Sequence, residues 1–176
     1  MKKHEIFPTP VWHIEGAPQQ LIEELYEGAY KFKEKYESET RSNKGGYQTP
    51  ILEWEMFHPE GKKYINNVVG DIFKFNVEGW WYNINGQGDW NSPHTHPNVN
   101  MALVLYVTDS DGLLTFMNTH PMRLIDDQYY GGPGDYASFK ANKGDIIMFP
   151  SDLVHYVLPN PRKEDRISIS MNISIR

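Results

Sequence analysis

At 176 residues, with 39% apolar and 14% aromatic side chains, the chain is long enough to bury a core and too apolar to be disordered. A formal charge of -6 and the absence of any Lys/Arg-rich run argue against nucleic acid as a general partner. There is no cysteine, so disulfides and thiolate metal sites are excluded and any metal must sit on His, carboxylate or amide ligands.

The segment Met1-Lys2-Lys3-His4-Glu5-Ile6-Phe7-Pro8 is basic and lacks the apolar centre of a secretory signal. No stretch approaches the roughly 18 apolar residues of a membrane span. Together with the missing cysteines, this leads us to expect a cytoplasmic chain without a membrane partner.

Residues 9–14 read as a short extended start. Pro18 suits the first turn of a helix, and Leu21, Ile22, Leu25, Ala29 and Phe32 then recur mostly at spacings of three and four. The polar stretch 37–46 reads as a loop. A second helical pattern begins at about Pro59, with Tyr64, Ile65, Val68, Val69 and Ile72 on one face. Both helices are expected to pack on a sheet and to carry no chemistry.

From Glu78 onward the texture changes to short β-rich runs, at 80–85, 102–108, 113–117, 145–149, 154–158 and 167–175. Turn residues separate them: Gly86-Gln87-Gly88, Asp109-Ser110-Asp111-Gly112, Gly131-Gly132-Pro133-Gly134 and Pro159-Asn160-Pro161. The expected architecture is a single domain over 1–176, mainly β. Helices within 15–75 pack on an antiparallel core within 78–176, of which the jelly roll is one solution.

Of seven histidines, His4, His13, His58 and His120 lack ligand-spaced neighbours and read as surface or packing residues. His94-Thr95-His96 differs. On an extended strand residues two apart share a face, so both imidazoles can approach one metal. His155 lies 59 positions beyond His96, and an antiparallel barrel can bring such strands together. Three ligands on one side of an octahedral ion leave room for a bidentate cosubstrate and oxygen. Imidazole suits iron, zinc, copper and nickel alike, so the ligand type alone does not choose the metal.

Arg166 follows His155 by eleven residues and opens a strand in which Arg166, Ser168, Ser170 and Asn172 alternate with apolar residues. One face of this strand is therefore polar, and it faces either water or a cleft. A dicarboxylate in a cleft would need a planar guanidinium and a neighbouring hydroxyl, and Arg-x-Ser supplies both on one face.

In order and spacing these residues resemble the iron(II) and 2-oxoglutarate-dependent dioxygenases. Within them the chain is most similar to a bacterial and phage family of oxygenases without an assigned substrate. The resemblance rests on Trp81-Tyr82-Asn83-Ile84-Asn85, Pro93-His94-Thr95-His96-Pro97, Gly144-Asp145-Ile146-Ile147-Met148-Phe149-Pro150-Ser151, His155, and Arg166-Ile167-Ser168-Ile169-Ser170-Met171-Asn172. More loosely it includes Phe7-Pro8-Thr9-Pro10-Val11-Trp12 and Gly45-Gly46-Tyr47-Gln48-Thr49.

The resemblance implies a double-stranded β-helix (a cupin-like jelly roll) with Fe(II) between its sheets and 2-oxoglutarate as cosubstrate. It makes His94 and His155 the first and distal ligand histidines, Arg166 the partner of the far carboxylate, and Ser168 the hydroxyl beside it. Tyr106 falls where related hydroxylases carry a cosubstrate-binding tyrosine, and Asn83 is a further cosubstrate candidate. The third ligand position holds His96 where a carboxylate is usual, which leaves a ferrous site one unit more positive. A shifted register, with His96 first and Asn98 in the carboxylate position, is the alternative.

The expected reaction hydroxylates a substrate with O2 and releases succinate and CO2. Trp80, Trp90, Tyr129 and Tyr130 are candidates for a substrate mouth, and residues 120–134 for a lid. The substrate is open between a small molecule and a protein side chain, and the assembly between a monomer and a homodimer. Three rivals stand beside this reading: a three-histidine cupin-type dioxygenase without 2-oxoglutarate, a non-catalytic sugar-binding jelly roll, and a zinc protein.

Overall fold

The computed structural model describes residues 8–119 and 136–176. Two helices, α1 (Gln19–Lys35) and α2 (Pro59–Gly70), flank two antiparallel sheets. The eleven described strands are β1 (Trp12–Ile14), β2 (Asn43–Lys44), β3 (Tyr47–Gln48), β4 (Phe75–Asn85), β5 (Trp90–His94), β6 (Met101–Tyr106), β7 (Ser110–Met117), β8 (Tyr136–Ala141), β9 (Ile146–Pro150), β10 (His155–Val157) and β11 (Arg166–Ile175). The larger sheet has the order β1-β9-β6-β11-β4-β3 and the smaller one β2-β5-β10-β7-β8.

The larger sheet is greasy outside and polar inside, and strand parity explains why. Along β4, Trp80, Tyr82 and Ile84 join one apolar core, while Trp81, Asn83 and Asn85 line the space between the sheets. Along β11, Ile167, Ile169, Met171 and Ile173 join the same core. Arg166, Ser168 and Ser170 therefore turn inward, so the polar face of this strand borders a cleft and not bulk water.

The helices close the outer core. Leu21, Ile22, Leu25 and Ala29 of α1 and Ile65 and Val69 of α2 are buried in the cluster that holds the outward residues of β4, β6 and β11. Full burial of each large side chain is worth about 1.5–3 kcal/mol. The Tyr82 hydroxyl donates to the Leu25 carbonyl at 3.0 Å, tying α1 to the middle of β4. A smaller cluster, including Phe116, Ile147 and Phe149, fills part of the space between the sheets.

Strand edges differ from the expectation by up to five residues, and α2 ends at Gly70, leaving Ile72 beyond it. The expected loop at 37–46 contains β2, and β3, β5 and β8 were not anticipated. Among the described residues no helix is long and apolar enough to cross a membrane.

Candidate active site

The smaller sheet brings the three histidines together. His155 of β10 pairs directly with His94 of β5, and Phe116 of β7 flanks it on the other side. His96 lies just past the end of β5, where its N–H donates to the Ser151 carbonyl at 2.8 Å. Ring centroids stand 4.3 Å (His94–His155), 5.1 Å (His96–His155) and 5.3 Å (His94–His96) apart. Potential ligand nitrogens of all three fall within 4.8 Å of one another.

Each ring is held by the same device. Nδ1 of His94 lies 2.8 Å from the Ser92 carbonyl, and Nδ1 of His155 lies 2.8 Å from the Leu153 carbonyl. Nδ1 of His96 lies 2.7 Å from Oδ1 of Asn172. All three partners are acceptors, so Nδ1 carries the hydrogen and Nε2 keeps its lone pair, the arrangement a metal-binding imidazole needs. Burial depresses the basicity of all three, with His96 at about 4 and His155 at about 3. They are neutral at pH 7, and the donor set fits a divalent metal of the borderline kind. Trp81 stacks on His96 at 5.6 Å, and Phe149 meets the His155 ring edge-on at 4.6 Å.

Facing the triad is a narrow chamber of about 40 Å³. Arg166, Ser168, Tyr106 and Asn83 all line it, together with His94, His96 and His155. Ser168 pairs with Asn83 on one side and Tyr106 on the other, so these three form one row across the sheet. Nδ2 of Asn83 donates to Oγ of Ser170 at 3.1 Å. Burial raises the Tyr106 pKa, so its phenol is protonated at neutral pH.

Arg166 is 3% exposed, and its guanidinium donates to the Leu158 carbonyl at 2.8 Å and, over 3.5 Å, to that of Asp89. Among the described residues no carboxylate forms an ion pair with it. Burial lowers its pKa, but a guanidinium remains charged. Tyr106 and the nearby Asp89 charge offset part of that burial, but a buried cation with no direct ion pair is costly, and an anion from outside the chain would satisfy it.

A second, wider space of about 370 Å³ is also bordered by His94 and His96. Its walls include Arg41, Ser42, Gln48, Trp81, Thr95 and Asn172, and among the described residues no carboxylate.

The structure thus brings together His94, His96, His155, Arg166, Ser168, Tyr106 and Asn83. Asn98 is exposed, in a turn with φ of 65°. Trp80, expected near a substrate mouth, lies instead in the outer core, 1% exposed, with its indole N–H donating to the Glu53 carbonyl at 2.9 Å. Parity explains this correction, because Trp80 points away from its neighbour Trp81. Trp90 is exposed and lines neither space, and Tyr129, Tyr130 and the lid expected at 120–134 fall outside the described residues. His13 and His58, expected to be incidental, lie against Asp145 at 3.0 Å and Glu24 at 3.1 Å, far along the chain from the triad. Asn172 was missed as a site residue. Its place on the polar face of β11 was visible, but its pairing with His96 was not.

Two facing antiparallel sheets with a histidine triad on one and a polar cleft between them define a double-stranded β-helix with a candidate metal centre. The chain belongs to the family described as "Putative 2OG-Fe(II) oxygenase", which matches residues 79–172, and it is accordingly an iron(II)- and 2-oxoglutarate-dependent oxidoreductase. No curated protein matches it by sequence.

Solved structures share the fold at low identity. HygX from Streptomyces hygroscopicus, with nickel and 2-oxoglutarate bound, is 9% identical with a TM-score of 0.67, over 95% of this chain and 83% of that one. A Pseudomonas putida prolyl-4-hydroxylase is 13% identical with a TM-score of 0.63, over 96% and 94%. The viral collagen prolyl hydroxylase of Paramecium Bursaria Chlorella virus-1, in complex with 2OG, is 17% identical with a TM-score of 0.58, over 93% and 94%.

Proposed function

We propose that the iron is held by Nε2 of His94, His96 and His155, and that the narrow chamber behind them is the 2-oxoglutarate site. On this reading the whole chain is one oxygenase domain, working in the cytoplasm on a small molecule or an exposed side chain. The observation that carries the site assignment is Arg166, a buried cation without a carboxylate partner, in the same chamber as three neutral histidines. Iron(II) with 2-oxoglutarate supplies the oxidising chemistry, in which O2 and the 2-oxo acid yield succinate, CO2 and an oxidised substrate.

The chain's own residues bind, orient and shield. Arg166 and Ser168 anchor the far carboxylate, and the Tyr106 phenol donates a further hydrogen bond. Asn172, Ser92 and Leu153 hold the Nδ1 hydrogens of the triad and so present Nε2 to the metal. Trp81, Phe116 and Phe149 wall the centre and limit water around it. The wider cleft bordered by His94, His96 and Trp81 receives the substrate, and its size suits a compact polar molecule or one side chain.

Succinate formation from 2-oxoglutarate by the ferrous protein in air tests this reading, even before the substrate is known. Wild type is expected to turn over slowly, and His155→Ala and Arg166→Ala are expected to be silent. Succinate made equally by all three would overturn the site assignment.

A further inference from the structure

We propose that Asn85 is a second anchor for the far carboxylate of 2-oxoglutarate, and that with Arg166 it sets the length of 2-oxo acid the chamber accepts. This rests on the assignment of the chamber to the cosubstrate.

Asn85 is 2% exposed and lines the chamber, yet its Nδ2 is buried without a hydrogen-bond partner. Native interiors seldom leave such a donor orphaned, and one that is left marks a missing acceptor. Asn83, two residues earlier on the same face of β4, shows the usual state, since its Nδ2 is satisfied by Ser170.

The β4–β11 register places Asn85 directly opposite Arg166, so their side chains leave the same face of the sheet as neighbours. Toward the turn between β2 and β3 the packing around Nδ2 is tight. Gly46, at φ of 62°, packs so near that a Cβ there would stand 2.8 Å from Nδ2 and 3.0 Å from the Ile84 carbonyl. No side-chain acceptor can come from that position. The carboxylate of Asp89 lies on this side too, with Oδ2 3.5 Å from that Cβ position, but it makes no hydrogen bond to Nδ2 and accepts instead from the Gly86 N–H at 2.8 Å. Asn85 lines the chamber, the space from which an acceptor outside the chain can reach it.

The chemistry matches. Arg166 spends Nη1 on the Leu158 carbonyl, so it cannot saturate a carboxylate that offers about four lone-pair sites. A neutral carboxamide beside it adds donors without adding charge.

Calorimetry on the anaerobic iron(II) protein decides the matter, with 2-oxoglutarate and pyruvate as probes, because pyruvate has the 2-oxo acid end and no far carboxylate. Asn85→Ala should weaken 2-oxoglutarate about ten-fold, the effect of one charge-assisted bond, and leave pyruvate within two-fold. Asn85→Asp, nearly isosteric, should weaken 2-oxoglutarate further by setting like charges together, again sparing pyruvate.

Equal weakening of both acids in Asn85→Ala would assign the residue a structural role and overturn the proposal, as would no weakening of either. If Arg166→Ala abolishes 2-oxoglutarate binding while Asn85→Ala is silent, only the Asn85 proposal fails. If Arg166→Ala is silent as well, the cosubstrate site itself is misassigned.

Discussion

Replacing Arg166 with Met should separate binding from folding. The guanidinium is 3% exposed and is held by two backbone carbonyls, one at 2.8 Å and one at the long distance of 3.5 Å. Removing it relieves the desolvation of an unpaired charge, a penalty of several kcal/mol, and forfeits hydrogen bonds to a charged group worth about 1.5–3 kcal/mol each. These terms oppose each other, so the ligand-free stability should change by less than about 2 kcal/mol in either direction.

Binding has no such compensation. Truncating one partner of a buried, hydrogen-bonded ion pair costs about 2–5 kcal/mol, roughly a 30- to 5,000-fold loss of 2-oxoglutarate affinity. Thermal unfolding of the nickel(II) protein reads both quantities at once. At 2-oxoglutarate near 100 times the wild-type Kd, wild type should gain about 2.7 kcal/mol. At about 2–4 °C per kcal/mol for a domain of this size, that is a rise of about 5–11 °C in Tm. Arg166→Met should start from nearly the same Tm and gain almost nothing. A variant that keeps the ligand-induced rise, or that loses more than about 4 kcal/mol without ligand, would show Arg166 to be a structural residue.

Gly112→Ala should act on the same contact from below, since a Cβ there would meet Nη1 of Arg166 at 2.0 Å and the Leu158 carbonyl at 2.7 Å. We expect about ten-fold weaker 2-oxoglutarate binding with iron affinity unchanged, measured by calorimetry. Asn172→Leu removes the acceptor that orients His96, and should lower metal affinity by about 10- to 100-fold in competition with a chelator. His155→Ala should abolish stoichiometric iron while preserving the far-ultraviolet circular dichroism.

The metal-free protein should also weaken in acid. His96 at about 4 and His155 at about 3 are depressed below the ordinary 6.5, so the unfolded chain takes up protons first. The stability is fully present above pH 6.5 and is lost as the pH falls toward those folded values. Between pH 7 and pH 5 the loss is about 4 kcal/mol for the two together, and urea midpoints check it. His155→Ala should roughly halve that loss.

How much of this was legible depends on which signals act locally. The helices announced themselves, because Leu21, Ile22, Leu25 and Ala29 share the stripe they bury. The polar face of β11 was legible for the same reason, at a period of two. β5 was silent, since Trp90-Asn91-Ser92-Pro93-His94 has no apolar alternation, and β2 and β3 are too short to show any period.

At the site, His-x-His, the distal His155 and Arg-x-Ser could be read from spacing. Asn172, Asn85 and Gly112 could not, because their roles come from partners 76, 81 and 54 positions away. Those partners are set by strand register and sheet facing, and a single sequence does not display either one. Trp80 was misplaced although its parity was readable. Its neighbour Trp81 faces the chamber, and successive strand residues cannot both do so.

The central claim is that a three-histidine iron site and the Arg166 chamber together bind 2-oxoglutarate. Anaerobic titration of the ferrous protein with 2-oxoglutarate, followed by visible absorption, tests it most directly. We predict a weak metal-to-ligand charge-transfer band that saturates at one equivalent and is absent in His155→Ala. Stoichiometric iron that gives no such band would contradict the claim, and would make this a three-histidine site that works without 2-oxoglutarate.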